Sequence, residues 1–211
     1  MKKFFAMDNK LYRFCSIVWN LIYLNLITIA FCIPVITVGA SLTAMHYVLL
    51  KIIRREDGYI GRMFWNAFKT NFKQATILWV AVAALFLSYR VDWVLVSSDN
   101  DLFGRPVQYG IMILTIITFM LFQFLFPVLS HFENTIFMTV QNTVILSISK
   151  FPRTVVMTLV WIVPFEILTH SFALFPLILM LGLTLPGFVC AKMYNPVFKL
   201  LEPEMEEDER E

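Results

Sequence analysis

The chain has 211 residues, 59% hydrophobic, 16% aromatic and only 15% charged, with a mean hydropathy of +0.72. A soluble domain averages about 45–50% apolar and about 25% charged residues, so most soluble classes are excluded and an integral membrane protein is indicated. The formal net charge of +2 hides an asymmetry, because seven of the fifteen acidic residues fall in "EPEMEEDERE", positions 202–211. Residues 1–201 therefore form one basic integral domain, and 202–211 read as an acidic, solvated and disordered tail.

Taken in chain order, the spans follow from where charge is missing, since a hydrocarbon layer of about 30 Å needs about 20 apolar helical residues. Between Arg13 and Lys51 no residue is charged, a stretch too long for one helix. Pro34 and Gly39 in "CIPVITVGAS" supply the break, proline by removing a backbone donor and glycine by permitting a sharp turn. The expected hairpin is Cys15–Ile33 followed by Val38–Ile53. Next, in "GRMFWNAFKTNFKQATILWV", helical spacing puts Arg62, Lys69 and Lys73 on one face and Phe64, Phe68 and Phe72 on the other. This predicts a helix lying in the inner headgroup layer, with its lysines on anionic lipid, that then turns and crosses. The alternative packs the phenylalanines on neighbouring spans.

Residues Gln74–Val96 and Val107–Ser130 read as the third and fourth spans. Ile136, Val140, Val144 and Ile148 then recur every fourth residue and predict a second interfacial helix. Between Arg153 and Lys192 lie one carboxylic acid, Glu166, and one histidine, His170, and a bend at "LTHSF" (168–172) yields spans Thr154–Ile167 and Phe172–Ala191. The fold class is thus all-α and polytopic, with about six transmembrane helices, or five if Cys15 to about Ile36 crosses once. With both termini inside, fifteen of the seventeen Lys and Arg residues fall on the cytoplasmic side of a plasma membrane, leaving Arg90 and Arg105 outside.

At this point the chain resembles a known family. "IPVITVGASLTAMHYVLLKIIRREDGYIGRMFWNAFKTNFKQATILW" is similar to the opening of the YesL-like bacterial membrane proteins, also called domain of unknown function 624, at Pro34, Thr37, Gly39, Ala44 and Lys51 and at Phe68, Lys69, Asn71, Phe72, Gln74 and Ala75. Pro127 and Phe132 match a later element. The resemblance implies a small polytopic protein of undefined activity, often encoded beside carbohydrate uptake systems, and supplies no catalytic or ligand residues.

Polar groups inside spans are the remaining candidates. Glu166 and His170 stand four apart and would share a helical face. Asn20 and Asn25 on the first span suit interhelical hydrogen bonds better than ligands. His46 reads as a hydrogen-bonded neutral imidazole, Arg90 and Asp92 as the outer end of the third span, and His131 as the inner end of the fourth. Cys15, Cys32 and Cys190 have neither disulfide nor metal spacing. Neither a catalytic signature nor a phosphate loop occurs, and the basic residues hug membrane interfaces instead of forming a nucleic-acid-binding domain. The expectation is no enzyme, no cofactor and no metal. It leaves a non-catalytic partner of a sugar transporter or sensor subunit, or else a small permease.

Overall fold

The computed structural model describes residues 10–56, 58–98, 104–132, 134–170 and 175–208, and among these every regular element is helical. The order is α1 (Lys10–Cys32), a 3-10 turn (Val35–Thr37), α2 (Val38–Arg54), α3 (Ile60–Ser98), α4 (Gly104–Leu121), a second 3-10 turn (Phe122–Phe124), α5 (Leu125–His131), α6 (Ile136–Ser149), α7 (Phe151–His170), α8 (Phe175–Leu181) and α9 (Thr184–Asp208).

The first hairpin forms where proline demands it. Pro34 brings no N–H and pushes Ile33 out of helical geometry, so α1 stops at Cys32. Its last carbonyls then need donors. The Thr37 hydroxyl supplies one, 2.5 Å from Phe31 O and 2.7 Å from Pro34 O, while Thr37 N–H donates to Pro34 O at 2.9 Å. Across the turn, the Trp79 indole N–H donates to Val35 O at 2.8 Å. A Cβ at Gly39 would lie 2.5 Å from both the Ala75 carbonyl oxygen and Trp79 Cβ, so glycine alone lets α2 and α3 approach this closely. Much of the family pattern, Pro34, Thr37, Gly39 and Ala75, is thereby one helix–turn–helix clasp.

Helix α2 is the centre of the molecule, with Ala40, Ala44, Met45, Val48 and Leu49 wholly buried. It ends at Arg55, held left-handed (φ 60°) while Glu56 N–H donates back to Lys51 O at 3.0 Å. Alongside runs α3, whose 39 unbroken residues reach about 58 Å at 1.5 Å each. The tip of the α1–α2 hairpin meets it at Ala75 and Trp79, and α3 continues through Ser98, about 28 Å further. Beyond the tip, α3 is accompanied by α4, where Tyr89 and Thr118 hydroxyls meet at 3.2 Å.

The outer surface is apolar and part of the interior is polar, the reverse of a soluble protein. On α6, Thr139, Thr143 and Ser147 are buried while Phe137 and Ile148 are exposed. The Ser147 hydroxyl lies 2.7 Å from Leu121 O, where the chain leaves α4, and Thr154 places its hydroxyl 3.0 Å from Ser147 O across the bend to α7. Among the described residues, four helical segments are long and apolar enough to cross a bilayer, namely 12–32, 35–54, 60–96 and 105–131. A fifth is added if α6 and α7, bent by 99°, count as one broken span. The chain is an all-α polytopic membrane protein.

Several sequence expectations are corrected. No turn separates residues 61–73 from the third span: α3 is continuous. Its Phe64 and Phe68 do not face headgroups; they are 1% and 7% exposed, packed on Phe31 of α1 with ring centroids 5.5 and 5.1 Å away. On α6 the aliphatic stripe is half-buried, with Ile136 and Val140 packed against the core and only Ile148 exposed, while Thr139, Thr143 and Ser147 turn fully inward. Helix α7 stays helical through His170, so the bend at 168–172 is absent up to that residue, and 171–174 lie outside the described residues. The expected sixth span, Phe172–Ala191, is broken between α8 and α9. The acidic tail is helical through Asp208, with 209–211 outside the described residues.

Candidate functional site

The break between α8 and α9 is held by a residue of α1. Asn25, fully buried, accepts the Leu183 and Thr184 N–H groups on Oδ1, both at 3.0 Å, and donates from Nδ2 to Leu179 O at 2.7 Å. One amide thus pairs with groups on both sides of an interruption that hydrocarbon could not solvate. Thr184 adds a hydroxyl donated to Leu21 O at 3.0 Å. Farther along α9, Gly187 passes within 3.0 Å (as a hypothetical Cβ) of Leu49, and Tyr194 OH sits 2.9 Å from His46 Nδ1. His46 is hydrogen-bonded, as its sequence context suggested.

At the end of α2 a charged cluster ties down α9. Arg54 donates from Nε to Asn195 Oδ1 at 2.9 Å and from Nη2 to Glu202 Oε1 at 2.5 Å, and His131 Nε2 donates to the same oxygen at 2.7 Å. The His131 ring also stacks on Phe198. Glu202 therefore does not belong to a solvated tail. Partial burial would by itself raise its pKa, but hydrogen bonds from Arg54 and His131 and the Arg54 charge outweigh it, and the carboxyl titrates below its ordinary 4.5. A depressed carboxylate contributes stability that is present above the unfolded pKa and lost as pH falls through the folded one. Acidification from about pH 5 to about pH 3 is thus expected to lower amide protection over residues 195–202, taken relative to the intrinsic exchange rate at each pH, and Glu202→Gln is expected to show low protection at both values. Identical pH profiles in the two proteins would contradict this.

Two cavities flank α2 and α3. The smaller, about 260 Å³, lies between α2, α3 and α5 and has several polar side chains in its lining, among them Tyr47, Asn66, Thr70, Asn71, Ser130 and His131. The larger, about 680 Å³, begins at Leu42 and His46 of α2 and follows α3 from Trp79 to Arg90, closed laterally by Phe119, Phe122, Gln123 and Phe126 and by Trp161 of α7. It opens where the short hairpin leaves the far half of α3 and α4 uncovered. The two cavities share no lining residue.

The residues singled out in the sequence are distributed as follows. Arg62, Lys69 and Lys73 are exposed on α3, Lys69 with its ammonium 4.7 Å from the Trp65 ring centroid, and Phe72 is partly exposed. Lys51 pairs with Glu56. Asn71 donates to Ala67 O at 3.0 Å at the smaller cavity, and Gln74 is half-buried. Asn20 is half-buried one turn below Asn25. Glu166 is exposed, and the His170 side chain lies outside the described residues, although both stand on one continuous helix. Asn20, Asn25 and Glu166 are absent from the linings of both cavities. Sequence reasoning missed Arg54, Glu202 and the cavity-lining Trp79, Gln123 and Trp161, because their partners are remote in sequence. Among the described residues, no three His, Cys, Asp or Glu side chains gather as a metal site.

Apolar flanks, inward hydroxyls and a buried amide bridging a helix break define a helical integral membrane protein. Residues 21–93 match the family described as "Protein of unknown function, DUF624", from the middle of α1 to Trp93 of α3 and including the Pro34–Gly39 clasp. This bears out the resemblance to that family over these residues. The chain is also 22% identical to "Uncharacterized protein YteU" of Bacillus subtilis (strain 168), over 76% of this chain and 74% of that protein. No solved structure matches the chain.

Proposed function

We propose that this protein is a non-catalytic accessory of the plasma membrane that docks through its spans onto a carbohydrate uptake or sensing system, with both termini cytoplasmic. The supporting observation is the use made of intramembrane polarity. Asn25, the best-placed polar group on a span, is fully engaged in holding α8 to α9, and the large cavity is mostly aromatic and aliphatic. A sugar pathway needs hydrogen-bonding groups for many hydroxyls. Besides indoles, the cavity brings His46, Gln123 and Arg90. The orientation is supported by charge: Lys51, Arg54, Arg55, Arg62 and Lys199 cluster toward the end where α2 meets α9, whereas Arg90 lies far along α3. The carbohydrate connection itself comes from the family resemblance.

The test is reconstitution in liposomes with labelled mono- and disaccharides, alongside affinity isolation from the native membrane. The expected result is no flux above empty liposomes and recovery of a carbohydrate-transporter or sensor subunit. Saturable sugar flux by the purified chain would overturn the reading in favour of a permease.

A further inference from the structure

The large cavity has no counterpart in the reading above. It is an open cleft, and at about 680 Å³ it is of ligand size. Water is a poor filling, since an ordered water needs two to four polar partners and this lining is dominated by Trp79, Val82, Phe86, Phe122 and Phe126. The surrounding medium of a polytopic protein is acyl chain. Geometry supplies a direction: α2 runs back from its contact at Trp79, so His46 marks the deep end, and Arg90, eleven residues past Trp79, lies about 16 Å up α3 at the other. Arg90 is exposed and is the one charged residue of the lining.

We infer that the cavity is a lipid site: it takes one acyl chain of an anionic phospholipid from the surrounding bilayer, with the headgroup phosphate at Arg90. Moving a chain from bilayer to an apolar cleft is nearly neutral, because lipid tails are as apolar as leucine. Selection among lipids therefore rests on the headgroup, and a basic side chain near the surface favours an anionic one about fivefold.

The full chain is reconstituted in vesicles of equal phosphatidylglycerol and phosphatidylcholine, extracted into detergent, and the retained lipid is counted by native mass spectrometry. Retention of one phosphatidylglycerol per chain, at about a fivefold preference, is expected. Arg90→Gln should bring the two lipids to parity, Arg90→Lys should keep the preference, and Ala83→Phe, which fills the cavity, should abolish retention of both. Equal retention by the unaltered chain, or an unchanged preference in Arg90→Gln, overturns the inference. Should Ala83→Phe fail to fold, phosphatidylglycerol brominated along its chain is used instead on a Trp19, Trp65, Trp93→Phe background. Stronger quenching of Trp79 and Trp161 than by brominated phosphatidylcholine is expected, and equal quenching refutes the site.

Discussion

Asn25→Leu is expected to destabilise the chain by about 3 kcal/mol in detergent, the largest effect of any single polar substitution on α1. Leucine keeps the branched skeleton, and although its methyls are bulkier than the amide's oxygen and nitrogen, the larger part of the loss comes from hydrogen bonds. The N–H groups of Leu183 and Thr184 and the carbonyl of Leu179 would all lose their side-chain partner at a position with no exposure. Each buried group left unpaired costs about 1–3 kcal/mol. Many interhelical hydrogen bonds in membranes contribute only about 0.6 kcal/mol, because the unfolded helix finds other partners. Backbone groups at a helix break have no such substitute within hydrocarbon. The effect should appear as a lower unfolding midpoint in a denaturant titration followed by tryptophan fluorescence. Stability within about 0.5 kcal/mol of the parent would show that the break satisfies itself.

Gly39→Ala is expected to cost about 2–3 kcal/mol, at the upper end for overpacking. The added carbon would meet the Ala75 carbonyl oxygen and Trp79 Cβ at 2.5 Å, and neither is the far end of a flexible side chain. The only relief is separation of α2 from α3, which also stretches the Trp79–Val35 hydrogen bond. Gly110→Ala is the matched control, since a Cβ there meets nothing within 4 Å. Helix propensity should make that change neutral or favourable by up to about 1 kcal/mol. Equal behaviour of the two alanine variants in the same titration would contradict the close approach.

What the sequence could disclose depended on how local the cause was. Pro34 ends a helix by its own covalent structure, and the expected hairpin, Cys15–Ile33 and Val38–Ile53, lies close to the observed Lys10–Cys32 and Val38–Arg54. The expected turn before the third span was wrong, although the absence of proline and glycine from Arg62 to Ser98 is what lets α3 run on unbroken. The change from a basic, aromatic stretch to an apolar one marks a change of surroundings along a single helix. By contrast, the α8–α9 break answers to Asn25, more than 150 residues away, and Glu202 answers to Arg54 at a similar remove. Both pairings arise only on folding. On α6 the four-residue stripe marked an amphipathic helix, but which hydroxyls turn inward was not legible, because Ser147 answers to Leu121, 26 residues away. As for the candidate site, Asn25 was legible as an interhelical group, while the large cavity was not, because its walls come from six separate elements.

The central claim is that this is a bundle of helices whose natural solvent is lipid. It is tested most directly by washing membranes that contain the full chain with alkaline carbonate. Integral insertion requires the chain to stay in the membrane pellet until detergent is added, and then to emerge monodisperse and helical. Release by carbonate as a folded, detergent-free protein would contradict the account.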